Sequence, residues 1–146
     1  MKKLILISVL LMFVSCVKPQ VNTSNDHNFI TFINKSNNIL YVYPDYNYPN
    51  TDSYKNMSPN KLEVNPQYRV DPNESNTRAL TAYNWERAYE PINAKLGIIM
   101  FYVFDAKIYD EKGWDYIKTN NLVLKRYDLT LQNLEDMNWT ITYDGN

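Results

Sequence analysis

The sequence predicts a mainly β, single-domain sandwich, and three observations carry that expectation. Short runs rich in Ile, Val, Phe, Tyr and Thr recur at close spacing, separated by clusters of Asn, Asp, Pro and Ser that favour turns. One run, Leu96 to Phe104 (LGIIMFYVF), is apolar almost throughout and reads as a central strand covered on both faces. The composition holds 13 tyrosines against 3 glycines, which suits half-buried pleated surfaces. An immunoglobulin-like or transthyretin-like arrangement, with two or three short helices in the connections, fits this pattern.

Ahead of the domain lies a different kind of segment. Lys2 and Lys3 precede an apolar run from Leu4 to Val14, broken only by Ser8, which ends at Ser15-Cys16. A basic start, a short apolar core and a small residue before the cleavage point are the layout of a secretory signal peptide. As a helix the run would cover about 16 Å of a hydrocarbon layer roughly 30 Å thick, too little for a membrane span. Residues 1–15 are therefore expected to be removed, 16–27 to form a tether and 28–146 to form the folded domain.

Along the domain, Phe29 to Ile33 and Ile39 to Tyr43 flank the turn-rich Asn34-Lys35-Ser36-Asn37-Asn38 and predict a β-hairpin. The seventeen residues from Pro44 to Asn60 have no period, and a connection this long is usually functional or mobile. Short strands follow at Lys61 to Val64 and Gln67 to Val70. Asp71 to Ser75 is a turn, and Asn76 to Thr81 returns antiparallel. Asn84 to Glu90 predicts a helical turn or two with Trp85 toward the core, stopped by Pro91. Beyond the central strand, a short helix is expected at Trp114 to Thr119 and a strand at Leu122 to Tyr127. Thr130 caps a further helix, with Leu129 stapled to Leu134. Asn138 suits a left-handed helix end, and Trp139 to Tyr143 closes the fold as a strand.

Composition excludes several functions. Losing Lys2 and Lys3 from the 15 basic residues leaves thirteen against 16 acidic ones, a net charge of −3 and no basis for nucleic-acid binding. The single histidine, His27, sits at the end of the tether and is expected to be solvated, so no nucleophile-base pair is predicted and no catalytic residue is assigned. Zinc would need several Cys or His ligands. Asp105, Asp110, Glu111 and Asp115 form a dense acidic group, but their spacing does not match a calcium loop. No cofactor is called for. Trp85, Trp114 and Trp139 are expected to pack, which leaves Tyr46, Tyr48 and Tyr54 of the long connection as candidate binding residues.

Phe13-Val14-Ser15-Cys16 resembles the lipobox of bacterial lipoproteins. The resemblance implies lipid attachment at Cys16, the chain's 1 cysteine, and anchoring by two or three acyl chains. Val17 stands where an aspartate commonly retains such proteins at the inner membrane, so the resemblance implies the outer membrane, facing the periplasm. The hairpin region, its Tyr-Pro-rich sequel, and Lys125 to Thr130 leading into Trp139 to Tyr143 resemble small uncharacterised envelope lipoproteins of Gram-negative anaerobes. The expected role is non-enzymatic, binding another envelope protein or acting structurally. The alternative is a glycan-binding module using Tyr46, Tyr48 and Tyr54.

Overall fold

The computed structural model describes residues 26–57 and 66–146. Among the described residues seven strands form two sheets, a mainly β fold. The first sheet has the order β4-β1-β7, from β1 (Phe29–Asn34), β4 (Ser75–Thr81) and β7 (Thr140–Tyr143). The second has the order β3-β2-β5-β6, from β2 (Leu40–Asp45), β3 (Arg69–Val70), β5 (Ile99–Asp105) and β6 (Lys125–Leu129). Pairing is antiparallel throughout except between β1 and β7, which run parallel. Among the same residues four short helices accompany them: α1 (Trp85–Ala88), α2 (Ala106–Lys112), α3 (Trp114–Asn120) and α4 (Leu131–Asp136).

The expected hairpin does not form. β1 and β2 are both strands, but each pairs within a different sheet, and residues 35–39 arch between the sheets. Both strands face the same interior: Ile30 and Phe32 meet Leu40 and Val42 across one buried cluster. Asn34 fixes the arch. Its side chain is fully buried, and its amide donates to the carbonyls of Asn38 (2.7 Å), Val70 (3.2 Å) and Asp71 (3.1 Å). Its Oδ1 accepts from the backbone N–H and the hydroxyl of Ser36, at 2.9 and 2.7 Å. A turn-forming asparagine thus joins the arch to the turn after β3. That turn holds as expected, with Asn73 left-handed at φ 60°. The following strand, β4, returns not to β3 but to β1.

β5 organises the remainder. From Ile99 to Phe104 every side chain is buried, as the apolar run predicts. Alternate residues point to opposite faces of a strand, so Ile99, Phe101 and Val103 enter the cluster between the sheets, whereas Met100, Tyr102 and Phe104 need a second cover. Tyr109, Trp114 and Ile117 of α2 and α3, together with Tyr54, provide it. Each large apolar side chain so buried contributes about 1.5–3 kcal/mol. The helices are thus a third layer and not simple connections, and α2 is an addition to the two or three helices expected.

Local chemistry explains where these helices begin and end. Asp105 caps α2 by accepting from the Ile108 N–H at 3.1 Å. Gly113, at φ 79°, lets the chain turn between α2 and α3, and left-handed Asn121 ends α3. Thr130 and Asn133 form a reciprocal capping box at α4, and Asn138 is left-handed as expected. Other boundaries shift: the Gln67–Val70 strand is reduced to Arg69–Val70 behind a 3-10 turn, and β6 lies later than expected. β5 starts only at Ile99, because Leu96 takes a left-handed φ of 64°. The strand expected at 61–64 lies outside the described residues.

The connectivity gives the domain two distinct poles. The arch joins the end of β1 to the start of β2, so the start of β1 and the end of β2 share the other pole. That pole also receives the end of β4, α1, the start of β5, the end of β6, α4 and the start of β7. We call it the entry pole, because residue 26 lies there. The C-terminal residues lie at the arch pole, where the Lys35 N–H donates to Tyr143 O at 2.7 Å. Replacing Asn34 by Ala removes the arch's buried hydrogen bonds and is expected to cost about 2–4 kcal/mol in urea unfolding; a loss below about 0.5 kcal/mol would contradict its structural role.

Candidate functional site

A groove of about 510 Å³ lies at the entry pole. Its floor is Tyr46, Ala82 and Ala88, its polar wall is Asn84, Arg87 and Asn93, and its rim carries Tyr83 and Ile92. The rim residues are nearly bare, at 87% and 88% exposure. Their exposure follows from α1. Asn84 caps that helix by accepting from the Arg87 N–H at 2.7 Å, which turns Trp85 fully into the core. Tyr83 is left outside the helix's buried face. Beyond Pro91, Asn93 ties back to Arg87 O at 2.8 Å and Ala94 is buried, leaving Ile92 outward.

Tyr46 links this groove to a smaller depression of about 330 Å³, which Asp45 and Ser53 also line. Burial, reinforced by Tyr43 and Tyr68, pushes its hydroxyl pKa up to about 12. Tyr89, at the end of α1, is pushed higher by burial and by Tyr46. Both phenols stay neutral at physiological pH.

The three tyrosines singled out from sequence do not form one platform. Tyr46 is half-buried against the core between the sheets, and Tyr48 is half-buried against the core beneath the helices. Tyr54 is only 3% exposed, packed on Tyr102, Phe104 and Trp114, with its hydroxyl donating to Asn121 Oδ1 at 3.2 Å. The irregular segment folds back because the outer face of β5 needs covering, and that buries Tyr54 at the base of a depression of about 320 Å³ that Lys55, Asn121 and Arg126 also line. Tyr83 and Ile92 were not singled out by sequence reasoning. Their signal is position: both flank the apolar stripe of α1 without belonging to it.

His27 also departs from expectation, since it is held by several contacts although its side chain stays 37% exposed. Its Nδ1 lies 2.6 Å from Glu86 Oε1, its backbone N–H donates to Glu86, and its ring stacks on Trp139 with centroids 3.9 Å apart. Asp26 accepts from the Asn84 amide at 2.6 Å. The last two residues assigned to the tether are thus fixed to α1. Trp139 sits at φ 56°, an uncommon conformation for a large side chain, and the stack on His27 holds it. Trp85 and Trp114 pack in the core as expected. For Glu86, burial opposes ionisation, but hydrogen bonds from the His27 ring and from the backbone, with attraction to His27, hold its pKa below the ordinary 4.5.

The acidic group is structural. Asp105 caps α2, Asp110 accepts from the Tyr41 hydroxyl at 3.0 Å, and Glu111 and Asp115 pair with Lys107 and Lys118. Among the described residues, no group of three or more His, Cys, Asp and Glu side chains could hold a metal ion. Among the same residues, no helix is long and apolar enough to cross a membrane.

Two outcomes follow from this geometry. Tyr54→Ala should lower stability by about 3–5 kcal/mol, the cost of emptying a buried aromatic site, while Tyr83→Ala should stay within about 0.5 kcal/mol; denaturant titration compares them. Glu86→Gln should destabilise fully above pH 4.5, the difference from the unmodified protein shrinking as the pH falls through the lowered Glu86 value; urea midpoints across pH read this directly. The chain matches no family model, no curated protein and no solved structure.

Proposed function

We propose that this protein is a lipid-anchored envelope protein with a non-enzymatic, binding or structural role, and that the entry pole is its interaction surface. The anchor is Cys16, on the likeness of Phe13-Val14-Ser15-Cys16 to a lipobox. The position this implies is the outer membrane, facing the periplasm. The observation that carries the binding role is the entry-pole groove with bare Tyr83 and Ile92 beside the point where the chain leaves the tether. Exposed apolar groups around a concave surface characterise interaction sites.

The frame we infer is a sandwich of immunoglobulin-like or transthyretin-like kind, elaborated by helices on one outer face. Two sheets enclosing one buried cluster support that reading. A glycan-binding role would now rest on Tyr46 and Tyr83, which share the groove with Asn84, Arg87 and Asn93. Tyr54, enclosed in the core, has no part in it.

Replacing Cys16 by Ala is expected to move the protein from the membrane fraction to the soluble one; retention on membranes would contradict the anchor. A photo-crosslinking residue at position 83, in cells, should capture an envelope component, while one at exposed position 107 on α2 should not. Equal capture at both positions, or none at 83, would contradict the assignment of the entry pole.

A further inference from the structure

We propose that the entry pole docks on the lipid bilayer itself, with Phe29, Tyr83, Ile92 and Leu96 seated in the headgroup region. The inference rests on the lipid-anchored reading of Cys16 and names the partner of the same surface. Its basis is where the most exposed apolar side chains lie. Among the described residues the four most exposed large hydrophobics are Ile92 at 88%, Tyr83 at 87%, Leu96 at 68% and Phe29 at 54%. All four belong to the entry pole: Phe29 starts β1 opposite Thr81, Tyr83 follows β4, and Ile92 and Leu96 lie between α1 and β5.

The length of chain outside the described residues favours a bilayer over a protein or a second copy. Asp26 and His27 are pinned to Asn84, Glu86 and Trp139, so fewer residues than the sequence alone implies lie between the domain and Cys16. Ten residue steps separate Cys16 from Asp26, a fully extended reach of roughly 35 Å. A chain fixed at that pole and lipidated within that reach keeps the entry pole within roughly 35 Å of the membrane, and the exposed apolar side chains then favour contact. The C-terminal residues lie at the arch pole.

The chemistry of the pole fits an interface. Tyrosine sits well at headgroup depth, with its ring in the apolar boundary and its hydroxyl in water, and aliphatic side chains enter slightly deeper. Arg87 and Lys95 can meet lipid phosphates. Acidic groups stand at the same pole: Glu90, which pairs with Arg87 at 3.9 Å, Glu86, which is held by His27, Asp26, which accepts from Asn84, and Glu135 and Asp136 of α4. Four scattered apolar side chains would bind weakly from solution, but the anchor removes most of that cost, since a tethered contact forms at high effective concentration.

The test uses the lipidated protein in vesicles of phosphatidylethanolamine and phosphatidylglycerol, with a nitroxide label on Ile92→Cys or, for comparison, on Lys107→Cys. The label at 92 should be shielded several-fold from a water-soluble nickel relaxant relative to the label at 107. Adding Tyr83→Asp and Leu96→Asp, both at exposed positions, should abolish the shielding while the protein still floats with the vesicles. Floating protein whose label at 92 is as accessible as that at 107 would overturn the docking and leave the anchor standing. Protein that does not float at all would overturn both. Position 83 crosslinked in cells to a protein and not to lipid would overturn the bilayer as partner while supporting an interaction role for the pole.

Discussion

The fold depends on β5. A strand whose side chains from Ile99 to Phe104 are all buried leaves neither face of its sheet available to water. The sheet of β1, β4 and β7 covers one face, while α2, α3 and the segment around Tyr54 cover the other. Much else follows from meeting both demands at once. The chain after β1 crosses to the other sheet, because β1 and β2 must face each other across the core. The long connection after β2 folds back onto β5. Hydroxyl contacts from the middle layer then fix these covers, Tyr41 to Asp110 of α2 at 3.0 Å and Tyr102 to Thr51 O at 2.7 Å.

This constraint also decides what was legible in the sequence. The existence of β5 and its two-sided burial could be read from nine residues, since few arrangements accommodate so continuous an apolar run. Two helix ends were legible for the same local reason: Thr130 and Asn138 act within three or four residues of themselves. Pairing was not legible. A five-residue turn between β-prone runs serves an arch as well as a hairpin, and the choice lies with Asn34 reaching carbonyls 36 and 37 positions away. The fate of the tyrosines was hidden likewise, because Tyr54 is buried by partners from β5 and α3 that no local window contains.

The candidate site is a by-product of the same economy of cover. Trp85, Tyr89 and Ala94 are drawn into the core at the entry pole, and the residues between and beside them are pushed outward. Tyr83 and Ile92 become bare because their neighbours are buried. That places the most apolar part of the surface beside Asp26 and His27, where the chain leaves the domain toward Cys16. A groove anywhere else would have carried no information about orientation. Here the groove, the exposed apolar groups and Asp26, from which the chain runs back toward the proposed anchor, share one pole.

The proposed docking fixes an orientation, with the entry pole toward lipid and the arch pole away. Energy transfer from a dye at the C-terminal residue or at residue 26 to acceptors in the bilayer measures it directly on the lipidated protein. Strands of six or seven residues separate the poles, so the C-terminal dye should lie roughly 20 Å farther from the lipid surface than the dye at residue 26. A C-terminal dye as close to the bilayer as residue 26, or closer, would contradict the account.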